Sequence, residues 1–246
     1  MASRAGRRVS GFTLGVALGL VFVSYWHLEP VAEANHLNPP CDNTFTLTEA
    51  VKENNTDVED GGKASIKLQY PDGGPVDNGG LVRSIFAWRN IDNHAEVGWK
   101  WFDVSPSDPS PKYFAFWYDQ GNPRNQPWEE GGAGTRDSFS SYKLDNDTGD
   151  HWTFHAGGSQ VENHTFADLH NSILIWANSE VKDICDSAEA HFQNLQDKAC
   201  NSCSYAGWQD TANSDIGLEN PCFHTNLISA TEFKVLHGPG DGETCT

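Results

Sequence analysis

The chain has 246 residues, a formal net charge of −18 from 34 acidic and 16 basic side chains, and 37% hydrophobic residues. So strong a negative balance repels nucleic acid and anionic membranes, and sets nucleic-acid partners aside. It suits a soluble surface in salt or in acid, and 9 Trp with 13 Phe supply more rings than one core of this size needs.

Residues 1–34 read as a signal peptide. Arg4, Arg7 and Arg8 form a basic start, and Gly11 to Trp26 is apolar but short for a membrane span. Ala32-Glu33-Ala34 offers a small-residue cleavage site with Asn35 following. A secreted, extracellular protein is expected, with no stable membrane insertion after signal cleavage; an uncleaved signal anchor is the alternative.

Residues 35–62 form an acidic leader with Pro39-Pro40 and the run Asp57 to Gly62. Residues 63–246 are expected to fold as one β-sandwich domain, with a Cys-rich helix and tail at 185–246. Strands are expected over Ala64–Tyr70, Leu81–Trp88, Ala95–Phe102 and Lys112–Tyr118, separated by Gly, Pro, Asn and Asp clusters. Ser138–Leu144 and His151–Ala156 read as a hairpin around Asp145 to Gly149, and Ile173–Val181 as a further strand. Ala188, Phe192, Leu195 and Ala199 share a face at helical spacing, so Asp186–Ala199 is expected to be a helix. Asn226–Leu236 reads as a closing strand. The predicted fold class is all-β: an antiparallel, concanavalin/jelly-roll-like β-sandwich with one short C-terminal helix and a disulfide-tied tail.

All six cysteines, at 41, 185, 200, 203, 222 and 245, follow the cleavage site. An even number in an exported chain reads as disulfides, with the pairing left open. Cys200-Asn201-Ser202-Cys203 has the spacing of a redox or zinc motif, but no second CxxC or His pair accompanies it. Asn54, Asn146 and Asn163 begin N-x-Thr sequons.

Two strands each carry one glutamate among apolar neighbours, Asn93-His94-Ala95-Glu96-Val97-Gly98-Trp99 and Ile175-Trp176-Ala177-Asn178-Ser179-Glu180-Val181. A carboxyl group there is costly without a partner or a task. Alternation puts Glu96, Gly98 and Lys100 on one face, with Val97, Trp99 and Trp101 on the core face. It puts Trp176, Asn178 and Glu180 together, opposite Ile175, Ala177 and Val181. The alternative is that both glutamates simply face solvent.

These segments resemble the neprosin family of glutamic peptidases. The resemblance rests on Glu96-Val97-Gly98-Trp99, Tyr113-Phe114-Ala115-Phe116-Trp117-Tyr118, Asp119-Gln120-Gly121-Asn122, Trp152 and Phe154, and Trp176-Ala177-Asn178-Ser179-Glu180-Val181. It covers about residues 80–182, and Asn178-Ser179 stands where that family carries Gly-Gly. The resemblance implies a sandwich related to the eqolisins with Glu96 and Glu180 as the catalytic pair. Two carboxyls sharing one site separate in pKa, giving one general base and one acid. Glu180 is expected to be the base and Glu96 the acid, with the reverse assignment as the alternative, cleaving a polypeptide in acid. Trp176, Asn178 and Gly98 are expected to bind substrate, with Asn178 or a nearby backbone N–H as the donor to the oxyanion.

No cofactor and no metal are expected. His151 and His155 share a strand face, and Asp145 to Asp150 resembles half a calcium loop, without its Gly position or terminal Glu. The competing expectation is a non-catalytic extracellular sandwich that binds glycan or a cell-surface polymer through exposed aromatics. Cleavage after Ala34 predicts Asn35 as the first residue of the secreted protein, which N-terminal sequencing reads directly.

Overall fold

The structure is a computed structural model that describes residues 52–53, 60–70, 80–90, 92–101, 110–123, 128–169, 174–181, 189–208 and 223–237. The strands run β1 (Lys52–Glu53), β2 (Gly61–Lys67), β3 (Leu81–Asn90), β4 (Asn93–Trp101) and β5 (Lys112–Asp119). They continue with β6 (Asn122–Pro123), β7 (Trp128–Gly131), β8 (Phe139–Thr148), β9 (His151–Ala156) and β10 (Ser159–Thr165). The rest are β11 (Leu174–Val181), β12 (Ala190–Asp197), β13 (Ala206–Gly207), β14 (Phe223–Ser229) and β15 (Glu232–His237).

They form two antiparallel sheets. The first has the order β1-β11-β3-β4-β5-β6, with β7 also on β5. The second has the order β10-β9-β8-β2-β12-β15-β14, with β13 also on β12. The all-β sandwich expected from the sequence is therefore the fold. Among the described residues no helix is long and apolar enough to cross a membrane.

Alternation builds the core. Leu81, Ile85 and Ala87 of β3, Ala95, Val97, Trp99 and Trp101 of β4, and Ile175 and Ala177 of β11 point inward and are fully buried. They join Ile66, Tyr142, Leu144, Trp152, Phe154, Phe192 and Phe233 of the second sheet in one cluster. Trp152 satisfies its indole N–H on the Leu169 carbonyl at 2.8 Å. Truncating any of these inward rings to Ala costs about 3–5 kcal/mol.

The expected helix over Asp186–Ala199 is corrected: the described part is strand β12. Ala190 and Phe192 point inward two residues apart, and then Leu195 does so three residues later. The pairing with β2 shifts register between Gln193 and Gln196, and Asn194 takes φ +56°. That bulge inserts one residue, and a period of two with one insertion imitates a helical stripe. The single closing strand over Asn226–Leu236 is likewise corrected to the β14–β15 hairpin, turning at Ala230-Thr231. Cys200 and Cys203 are bonded to each other across one tight turn, with the Cys203 amide on the Cys200 carbonyl at 2.9 Å. Cys41, Cys185, Cys222 and the Cys245 tail lie outside the described residues.

Gly98 fixes how closely β3 and β4 approach. A Cβ there would lie 2.1 Å from the Arg83 carbonyl oxygen and 2.7 Å from Ser84 Cα. Both are backbone, so the strands themselves must part. Gly98→Ala is expected to destabilise the protein by about 2 kcal/mol or more, read as a lower midpoint in urea unfolding.

Candidate active site

The outward face of the first sheet carries the polar groups. β4 is buried along its whole length, so this face is covered and not simply bathed in solvent. Four cross-strand rows can be read from the register, each running from β11 through β3 and β4 to β5. Leu174, Trp88, His94 and Tyr118 form one row, and Trp176, Phe86, Glu96 and Phe116 the next. Asn178, Ser84, Gly98 and Phe114 form the third, and Glu180, Val82, Lys100 and Lys112 the fourth. Glu96 and Glu180 thus share the face, two strands apart and two rows apart, with the small polar row of Ser84 and Gly98 between them.

Both glutamates are nearly buried, 8% and 7% exposed, which removes the solvent-facing alternative. Ser84 Oγ donates to Glu96 Oε1 at 2.5 Å, and Asn178 Nδ2 donates to Glu180 Oε1 at 2.6 Å. Burial pushes the Glu96 carboxyl up to about 8, and the neighbouring Glu180 charge pushes the same way; Ser84 and Asn178 oppose them. Burial also raises Glu180, but Asn178 and the Arg83 guanidinium oppose it. The pair therefore favours one shared proton, held on Glu96, with the charge on Glu180.

Trp176 and Asn178 each leave one polar atom open. Trp176 Nε1 and Asn178 Oδ1 are buried without a hydrogen-bond partner among the described residues. They offer one donor and one acceptor on the face that holds the glutamates. Beyond Glu96 the rings form an ordered stack across four strands: Tyr118 on His94 at 5.0 Å, His94 on Phe86 at 5.2 Å, and Phe86 on Trp176 at 5.8 Å, all within about 21° of parallel. Such offset stacks are the favoured arrangement of π-systems.

The structure thus brings Glu96, Glu180, Trp176 and Asn178 to one face. Gly98 lies there too, but the space above its Cα is filled by β3. Sequence reasoning missed Ser84 and Arg83. Their signal was two polar residues inside the apolar run Leu81 to Trp88. The histidines considered for a metal are otherwise engaged: His151 Nδ1 is 2.7 Å from Asp147 Oδ1, and His155 Nε2 is 3.1 Å from Thr153 Oγ1. Asp145, at the start of the supposed calcium loop, lies within β8 and forms ion pairs with Lys143 at 3.0 Å and with Lys198.

No protein-family model matches the chain, and no curated protein matches it in sequence. Among solved structures it is similar to Scytalido-glutamic peptidase with a peptide-based transition-state analog. The identity is 8%, the match covers 79% of this chain and 98% of that one, and the TM-score is 0.52. SCP-B, a member of the Eqolisin family of peptidases in complex with the tripeptide Ala-Ile-His, matches over the same shares at 9% identity and TM-score 0.46. A glycoside hydrolase family 16 endo-glucanase from Bacteroides ovatus matches 49% of this chain and 55% of its own, at 15% identity and TM-score 0.34. At these identities the likeness is one of fold.

A carboxyl whose folded pKa lies above its ordinary value opposes folding once it ionises. The native state holds the proton more tightly, so stability is unaffected below about pH 4.5 and falls as pH rises towards about 8. Glu96→Gln removes that loss. The variant is expected to gain a few kcal/mol over the parent at pH 8 and much less at pH 4, checked by urea unfolding at both.

Proposed function

We propose that the chain is a secreted, neprosin-like glutamic peptidase that hydrolyses peptide bonds through the paired carboxyls of Glu96 and Glu180. The observation that carries this reading is the pair itself: two buried carboxyls on one face, held by different donors and separated by the row that holds Ser84 and Gly98. Ionised Glu180 takes a proton from a water as that water attacks the scissile carbonyl. Protonated Glu96 polarises the carbonyl or delivers its proton to the leaving amine. The open donor on Trp176 and the open acceptor on Asn178 match the C=O and N–H of a peptide group. Asn178 Nδ2 already serves Glu180, so Trp176 Nε1 is the better donor to a developing oxyanion.

The fold likeness to a glutamic peptidase supports the same reading. The ring stack supports the second one, a sandwich that binds glycan without cleaving it, because sugar faces also pack on aromatic rings.

Burial moves the working range upward from the acidic one expected from the sequence. The acid limb follows Glu180, which titrates above the ordinary carboxylate range, and the other limb follows Glu96 near pH 8. Secreted protein incubated with a proteome-derived peptide library is expected to give a bell-shaped profile over weakly acidic to neutral pH. Glu96→Gln and Glu180→Gln should each lower kcat by at least about 100-fold. Full activity in either variant would remove the paired mechanism. Oligosaccharide binding without peptide cleavage would establish the second reading.

A further inference from the structure

Arg83 is a charged side chain on the buried side of the first sheet. It shares that side of β3 with Leu81, Ile85 and Ala87 and is 1% exposed. Its guanidinium carbon lies 6.0 Å from the centre of the Trp99 ring. Nη1 donates to the Val82 carbonyl at 2.8 Å and to the Glu180 carbonyl at 2.5 Å. A guanidinium among such neighbours contributes little to stability, and an apolar side chain of similar volume commonly serves a core as well or better. Its position has another consequence. It places a cation against the peptide group of Glu180, on the reverse of the sheet whose outer face carries the glutamates.

The other charges around Glu180 are disposed differently. Glu96 faces it from β4 and carries the like charge when ionised. Lys100 of β4 and Lys112 of β5 stand in the Glu180 row, but both reach Glu129, Lys100 closely and Lys112 at 4.0 Å. Arg83 is bonded to the main chain of Glu180 itself.

We propose that Arg83 is a positioning residue of this site: from the buried side of the sheet, its guanidinium selects Glu180 and not Glu96 as the carboxyl that gives up its proton. The catalytic meaning of this selection rests on the paired-glutamate reading, whereas the selection itself does not. The directions of the shifts agree. Burial raises both carboxyls; Asn178 and then Arg83 pull Glu180 back towards ionisation, while the Glu180 charge adds to the push on Glu96. The guanidinium in turn is brought down to about 9 by burial, and the Glu180 charge works against that fall.

The two carboxyls can be followed by NMR in secreted protein labelled with 13C at the glutamate carboxyl, with Glu96→Gln and Glu180→Gln assigning the signals. Arg83→Gln keeps an amide donor for the Glu180 carbonyl and removes the charge, whereas Arg83→Lys keeps the charge. In the parent protein Glu180 is expected to titrate first. Arg83→Gln should raise its midpoint by about one pH unit or more and move the acid limb of the pH–rate profile with it. Arg83→Lys should leave both near the parent. An unmoved Glu180 curve in folded Arg83→Gln overturns the proposal, and so does an equal shift in both variants, since either leaves Arg83 a structural anchor only. Where Arg83→Gln fails to fold, Arg83→Met, matched to its apolar surroundings, carries the same expectation. If no peptide is cleaved at any pH, the titrations still decide the role of Arg83 while the peptidase reading falls. If cleavage holds and the titrations do not move, the proposal falls alone.

Discussion

Two carboxyl groups withdrawn from water on one face of a sheet cannot both be charged at modest cost. That constraint organises the rest of the site. Each carboxyl has one strong donor, Ser84 for Glu96 and Asn178 for Glu180, and these come from different strands. The donors soften the cost of burial without cancelling it, so both groups remain shifted upward. A pair so disposed exchanges one proton where exposed carboxyls would have lost both, which is the condition for acid and base chemistry near neutral pH.

The sheet meets that constraint by being buried on both sides. Its inward face supplies Trp99, Trp101, Ile85 and Ile175 to the core, and its outward face carries glutamates and stacked rings. β3 serves both faces through successive residues, with Arg83 below and Ser84 above. Gly98 allows this strand to come close to β4.

The sequence was most legible where one residue alternates with the next without interruption. The faces of β4 and β11 follow from Val97-Gly98-Trp99-Lys100-Trp101 and Ile175-Trp176-Ala177-Asn178, and they place both glutamates opposite the core. The same rule misled over Ala190 to Asp197, because the bulge at Asn194 inserts one residue and turns a spacing of two into a spacing of three. Nothing in local propensity distinguishes that slip from a helix rich in Ala, Leu and Gln. Ser84 and Arg83 were missed for a different cause. Their partners lie 12 and 97 positions away along the chain, so their roles exist only once β3 lies between β4 and β11. Half-exposed rings and buried ones also read alike in sequence, so the order of the stack became visible only with the register.

The placement of Arg83 and Ser84 on opposite sides of β3 makes the site conditional on complete folding. Sliding β3 by a single position against its neighbours would carry the guanidinium onto the outer face and the hydroxyl into the core, where neither has its partner. No partial or shifted pairing offers a weakened version of the same centre. A nascent chain therefore has the guanidinium, the hydroxyl and both carboxyls in register only once its last central strand, β11, has locked into place beside β3.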